Sequence, residues 1–467
     1  MSWASSEARR LEGDRLQAQG QYEQALACYQ QAIALEPANI YALNNMAVLL
    51  VEHNGAQDAE EICRRALSMR GDLAELHYNL GRALAKQERF HEAIAAYEHA
   101  LDLAPNMAEA YNMLGNAWRA LGIIDKAEHC YRQAVSLKPE SAEFRVNRGL
   151  TALLQGRYEE GFADFERRFA LAAVHLPPLP RGRPWHGEPL RGRTLLVRFE
   201  GGFGDTLHFL RYLTPIRAAG ARVLLECQPE LARLLSWCAD ADAVISAVRP
   251  NPPSEPFDFH VSLLSLPYHL WKTHGSLSQS VPYIKAPPKL ERVWREKLTQ
   301  KSDGLRVGVV WAGNPYYPND KKRSCPIERF SSLFEVAEAA FYSLQKGGAS
   351  EYAQPILRQW GVQDLSQELR DFADTAAAIA ALDLVISVDT AVAHLAGAMG
   401  KPVWVLLPFS PDWRWGMTGG TTVWYPSMRL FRQTQRDDWQ GVLEQVADQL
   451  RADLKSKDGL RPTSAAP

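Results

Sequence analysis

Two short stretches hold residues whose types and spacing suit chemistry on an anion. One is Asp389-Thr390-Ala391 with His394 just beyond. Before it, Leu384-Val385-Ile386 is an apolar, β-branched run too short for a helix, which reads as a buried parallel strand. After it, Val392, Leu395, Ala396 and Met399 fall at helical spacing until Gly400 and Pro402 stop the helix. A strand, a polar turn and a helix bring N–H groups to the carboxyl edge of a sheet, where the helix dipole favours an anion such as a diphosphate. Asp389 and Thr390 then stand at the cap and His394 one turn in. An ordinary Asp/Thr-capped helix is the other reading. The second stretch is Gly201-Gly202-Phe203-Gly204-Asp205, a glycine-rich turn between a strand, 194–199, and a helix expected over 206–216. Here Asp205 reads as a helix cap. A dinucleotide loop is disfavoured, because the G-x-G-x-x-G spacing is missing and only Glu226 stands near where a ribose would need an acid.

The elements that must position these residues alternate strand and helix, which implies parallel sheets covered on both faces. A first half, 194–288, has strands at 194–199, 222–226, 243–247 and 257–261. A second half, 289–455, has strands at 305–311, 341–345, 384–386 and 403–407, and a terminal amphipathic helix over about 438–450. Ligands of such sheets sit outside the carboxyl ends of the strands. Gly313 and Asn314 follow the first strand of the second half. Ser343 and Gln345, ending the next strand, are placed to touch a nucleoside. Prolines between Pro177 and Pro189 predict a stiff linker over 171–193, and 456–467 reads as a tail.

Residues 1–170 carry a 34-residue period. Ala25, Ala59, Ala93 and Ala127 keep it, as do Ala32, Ala66, Ala100 and Ala134, and Tyr29, Cys63, Tyr97 and Tyr131. Gly13, Gly81, Gly115 and Gly149 mark a close helix–helix approach, with Ala47 in the second unit, and Pro37, Gly71, Pro105 and Pro139 close the units. This resembles the tetratricopeptide repeat: four full units and a partial fifth, which reads as a cap joining the array to the next domain. The concave face of such a superhelix takes extended segments; a spacer or dimerisation element is the alternative. Asn45, Asn79 and Asn147 recur at one position of the unit, with Met113 in the fourth. The row resembles the asparagine ladder of the O-GlcNAc transferase repeats, which implies a peptide groove.

The turn Gly201–Pro215 and the stretch Asp389–Pro402 resemble the ADP-heptose–lipopolysaccharide heptosyltransferase family. The resemblance covers about 190–450. It implies a GT-B-like pair of Rossmann-type domains, with the acceptor side in 194–288 and the nucleotide-sugar side in 289–455. By the same resemblance Asp205 is the general base that takes the acceptor hydroxyl proton in an inverting transfer. Gly204, Gly313, Asn314, Arg323, Ser343, Gln345, Asp389, Thr390, Ala391 and His394 become donor-binding residues, and glycines at 201–204 clear space for a sugar. No Asp-x-Asp pair stands in a suitable loop, so a metal-independent reaction is expected. Helix N–H groups with Thr390 and Arg323 or Lys322 would meet the leaving-group charge. Trp413, Arg414 and Trp415 line the cleft or simply pack. Two positions depart from the relatives' pattern: Tyr317 replaces a histidine, and Ala391 a glycine.

Composition agrees with a soluble globular chain, 46% hydrophobic and 23% charged. A net charge of −2 gives no electrostatic case for nucleic acid. Six scattered cysteines form no metal or disulfide framework, no apolar run approaches a bilayer's ~20 residues, and no leader precedes the charged start, so a cytoplasmic location is expected. The sequence therefore points to a glycosyltransferase that uses a nucleotide-diphosphate sugar, needs no cofactor, and modifies a protein or glycan recruited by the repeats. The competing class is a non-catalytic scaffold on a degenerate transferase fold.

Overall fold

The computed structural model describes residues 2–53, 55–171, 176, 182–247, 255–274, 281–299 and 304–456. Much of the linker, the Pro-rich loop at 249–254 and nearly all of the tail lie outside the described residues.

The chain divides into two compact units, one of residues 1–152 with 167–171, the other of 153–166 with 172–467. In the first, helices from Ser2–Ala18 to Ile124–Leu137 pair as hairpins. The 34-residue period is a packing rule. A Cβ on Gly13, Gly81 or Gly115 would stand 2.5–2.7 Å from the ring of Tyr29, Tyr97 or Tyr131 in the facing helix. The second repeat exchanges both partners: Ala47 and Cys63 share one core cluster, a larger residue meeting a smaller one.

The second unit holds two parallel sheets, the twin Rossmann-type arrangement that the alternation predicts. The first comprises β1 (Arg183–Pro184), β2 (Thr194–Arg198), β3 (Arg222–Cys227), β4 (Ala243–Ser246) and β5 (Phe259–Ser262), in the order β1-β5-β2-β3-β4. The second comprises β6 (Leu305–Val310), β7 (Ala339–Ser343), β8 (Gln363–Asp364), β9 (Leu384–Val388), β10 (Val403–Leu407) and β11 (Met428–Arg432), in the order β11-β10-β9-β6-β7-β8. Strand order reverses between β2 and β5 in one sheet and between β6 and β9 in the other. These switch points are where crevices open at the carboxyl ends, and both sequence motifs lie there: 199–205 follows β2, and 389–391 follows β9.

Three expectations change. The linker's end is an edge strand: Arg183 N–H donates to Asp258 O (3.2 Å) and Trp185 N–H to His260 O (2.9 Å), and Pro184 is tolerated because it lies on an edge. The helix expected over 206–216 starts earlier and breaks, into Phe203–Phe209, a 3₁₀ turn Leu210–Tyr212, and Leu213–Ala218. Pro215 explains the break, since it offers no N–H and its ring clashes with the carbonyl four residues back. Third, the partial fifth repeat contributes helix Tyr158–Phe165 to the second unit. Tyr158 meets Trp271 (5.5 Å) and Trp424 (5.3 Å), and Phe162 meets Trp413 (5.8 Å).

The second sheet is anchored from one side by helix Trp439–Lys455, capped by Asp438, whose carboxylate accepts from Gly441 N–H. Trp439, Leu443, Val446 and Leu450 join Val307, Val309, Ile386, Val388 and Leu406 in one buried cluster. Each such side chain contributes about 1.5–3 kcal/mol, so β6 and β9 present their ends from a rigid base.

Candidate active site

After β2 the chain turns through Gly201, at φ +76°. A side chain there would be strained, and its Cβ would come 2.5 Å from Asp205 Oδ2. Gly202 caps helix Phe203–Phe209, so Asp205 lies inside the first turn rather than ahead of it. Its Oδ2 reaches back to accept from Gly202 N–H (2.9 Å).

After β9, Thr390 caps helix Ala391–Ala398 with extended backbone. Ser387 Oγ donates to Val388 O (2.7 Å) and stands 2.9 Å from Thr390 Oγ1. With its proton on Val388, Ser387 accepts, and Thr390 donates to it, leaving the Thr390 lone pairs for an incoming donor. The helix's first N–H groups have no intrahelical acceptor. His394 stacks on Trp415 (5.2 Å, 24°), and its Nε2 stands 3.7 Å from Asp389 Oδ1. Burial alone would raise the Asp389 carboxyl; His394, joined by Trp415 and Arg323, outweighs it and holds the group below the usual range.

These two helices touch. A Cβ on Gly204 would stand 3.0 Å from His394 Cδ2 and 3.6 Å from Ala391 Cα. Gly204 therefore admits the opposite helix, which corrects the expectation that it clears space for a sugar. Behind the contact, Tyr425 Oη lies 3.0 Å from both His394 Nδ1 and His208 Nδ1. One phenol proton serves one ring, so the other ring must donate. Burial, then the charges of Arg211 and Arg414, push the His208 pKa well down, so it is neutral at pH 7. Its Nε2 has no hydrogen-bond partner among the described residues.

Arg414 connects the two halves. Its Nη2 donates to Asp205 Oδ1 (2.6 Å) and its Nη1 to Asp412 Oδ1 (2.9 Å). The guanidinium lies 4.5 Å from the Trp413 ring centre and 5.4 Å from that of Phe209. Burial raises the Asp412 carboxyl, and Arg414 only partly offsets this. Tyr317, the residue that departs from the relatives' pattern, faces the same charges: burial first, then Asp412 and Asp205, raise its hydroxyl.

Arg323 lies 4.7 Å from the Tyr317 ring centre, and its Nε donates to Asp320 Oδ1 (3.1 Å). Gly313 N–H donates to Ser324 Oγ (3.0 Å), and a Cβ at Gly313 would overlap Asp320 and Arg323. Asn314 Oδ1 accepts from Tyr316 N–H (3.1 Å), which makes Asn314 a turn-former. Ser343 is fully buried, and Gln345 is only 4% exposed. The Gln345 oxygen accepts from Trp311 N–H (3.2 Å) and Ala312 N–H (2.9 Å). Gln345 therefore shapes the end of β6, and buried Ser343, whose hydroxyl has no hydrogen-bond partner among the described residues, exposes no surface for the nucleoside contact expected of it. Beyond β7 lies a polar cavity of 520 Å³, lined by Lys346, Gly347, Ser350, Asp364 and Ser366 among others.

In the repeat unit the asparagine row bonds between repeats. Asn45 Nδ2 donates to Asp14 Oδ1 (2.7 Å), Asn79 Nδ2 to Asn44 Oδ1 (2.9 Å), and Asn147 Nδ2 to Asn112 Oδ1 (2.9 Å). Asn79 is buried. One N–H of each amide expected to hold a peptide is thus engaged between repeats.

Family comparison decides the class. Tetratricopeptide repeat models match residues 13–54, 74–107 and 108–141, and the model "Glycosyltransferase family 9 (heptosyltransferase)" matches 354–417. The chain carries tetratricopeptide repeats and a glycosyltransferase family 9 domain. The family 9 match takes in Asp389, Thr390, His394, Asp412 and Arg414, but not Asp205. Protein FlbA of Caulobacter vibrioides is 28% identical over 439 residues, 89% of this chain and 73% of that protein. A STIP1 homolog of Dictyostelium discoideum is 30% identical over 103 residues, 21% of this chain and 18% of its own. A crystal structure of MamA is 25% identical over 34% of this chain and 92% of its own, with a TM-score of 0.31.

Sequence reasoning left Arg414 between lining and packing and passed over Asp412, Tyr425 and His208. The one local signal was a charge flanked by two tryptophans. No helix among the described residues is long and apolar enough to cross a membrane.

Proposed function

We propose that the family 9 domain is an inverting glycosyltransferase that moves a sugar from a nucleoside-diphosphate donor to a hydroxyl of a protein or glycan. The acceptor oxygen attacks the anomeric carbon, the bond to the diphosphate breaks, and Asp205 takes the hydroxyl proton. One observation carries this reading: Asp205 and the Asp389-Thr390 helix start come from opposite halves and meet across the Gly204–His394 contact. The N–H groups of helix Ala391–Ala398, which Thr390 opens, receive the diphosphate. The cavity beside Lys346 and Asp364 takes the nucleoside. It lies two strands from β9, roughly 10 Å at ~4.8 Å per strand, a fitting span from diphosphate to base. The repeats recruit the acceptor, and the protein works in the cytoplasm.

A thermal-shift screen of nucleotide sugars with EDTA present tests the proposal. A bound donor raises Tm with the logarithm of its concentration over Kd. The expected result is a shift for one nucleotide class that Thr390→Ala with His394→Ala abolishes. No shift with any nucleotide sugar would overturn the reading.

A further inference from the structure

Asp205 has both oxygens engaged. Oδ2 accepts from Gly202 N–H at 2.9 Å and Oδ1 from Arg414 Nη2 at 2.6 Å. Arg414 is itself only partly satisfied. Its Nη groups hold Asp205 and Asp412, yet its buried Nε has no hydrogen-bond partner among the described residues. A guanidinium offers five N–H donors in a planar fork that suits phosphate as well as carboxylate. The side chain lies against Trp413 and Phe209, flat surfaces over which it can turn without losing its stacking. Asp389, at the anion-binding helix start, is near enough to act on Arg414 electrostatically. A diphosphate held there would bring a doubly charged competitor to the same cation.

We propose that Arg414 is a positioning residue that latches Asp205 in the resting protein and turns to the donor diphosphate, so that donor binding frees the base. The proposal rests on the glycosyltransferase reading above. It implies order: the acceptor hydroxyl finds an available base only after the donor is in place. In the resting protein Asp205 is kept from activating water.

The latch makes an unusual prediction. Removing the base should tighten diphosphate binding, because Arg414 no longer has to leave Asp205. Calorimetry of UDP, GDP, ADP and dTDP on wild type, Asp205→Asn, Arg414→Gln and the double variant forms the test. For the nucleotide that binds, Asp205→Asn should tighten binding by roughly tenfold, the scale of a close charge pair, and Arg414→Gln should weaken it. In the Arg414→Gln background the gain from Asp205→Asn should largely vanish. Simple repulsion between Asp205 and the diphosphate predicts the opposite: an equal or larger gain once Arg414 is absent. That pattern, or no gain in the wild-type background, overturns the latch and leaves the transferase reading standing. If none of the four binds wild type, the transferase reading falls and the latch with it. Should Arg414→Gln fail to fold, Arg414→Lys replaces it. A lysine ammonium is a single point charge and cannot span Asp205 and Asp412 as the two terminal guanidinium nitrogens do, so the gain should shrink there too.

Discussion

Gly204 and His394 lie in van der Waals contact across the two halves of the second unit, with room for no more than a methyl group between them. Gly204→Ala should therefore be nearly neutral, its small overlap offset by better helix propensity, about 1 kcal/mol. Gly204→Val should force the helices apart and destabilise by roughly 1–3 kcal/mol. Denaturant unfolding of both variants checks this, and a Val variant as stable as wild type would contradict the contact.

Asp205→Asn should lower turnover by ~10²-fold or more, the range for loss of a general base, without weakening the donor. Single-turnover assays with the nucleotide sugar found by the screen measure the first, and calorimetry the second. Turnover at the wild-type rate would reduce Asp205 to its helix-turn bond with Gly202.

In the repeats, Cys63→Tyr should destabilise the array, because Ala47 stands where the other repeats have glycine under the tyrosine ring. Adding Ala47→Gly should restore most of the loss. The two changes should couple by about 0.5–3 kcal/mol, as contacting residues do, and urea unfolding of the four proteins reads the coupling.

A chain begun near Pro177 should express poorly, because it lacks Tyr158 and Phe162 and uncovers Trp271, Trp413 and Trp424. A chain begun near Leu153 keeps that helix and should remain monodisperse by size exclusion. Equal behaviour of the two would show that the helix is dispensable to the unit.

Asp383 supplies a pH test. Its carboxylate accepts from Arg306 N–H (2.9 Å), Nε (2.9 Å) and Nη2 (2.8 Å). Burial would raise the Asp383 carboxyl, but the Arg306 bonds win and hold it below the usual range. A depressed acid stabilises the fold above its unfolded pKa of ~3.9 and loses that contribution as pH falls through the folded value. Asp383→Asn should thus cost stability at pH 7, and its deficit should narrow below about pH 4. Chemical denaturation across pH 7 to 3 follows it, and a constant deficit would exclude an electrostatic origin.

Much of this protein was legible in the chain itself. The repeats declare themselves because each unit buries the same face against its neighbour, so Gly and Tyr recur at fixed steps. β6, β9 and β10 read as strands because burial on both faces demands continuous apolar runs. Less was visible where a residue's role depends on a partner far along the chain. Asp205 and Arg414 are 209 residues apart, and His208 and Tyr425 are 217 apart. Short-range pattern carries no record of such pairs. β11 escaped notice because Arg429 and Arg432 interrupt its apolar pattern, and its pairing with β10 supplies the order its sequence lacks. Gly204 was visible as a residue but misread as an opening, and nothing in the asparagine row announced its bonds between repeats. A glycine that admits a helix and one that admits a ligand have the same sequence, and an amide facing a groove looks the same as an amide bonded to the next repeat. Composition and period determined which elements form; only the folded packing decided which polar atoms remain available, because availability is whatever the neighbours have not already satisfied.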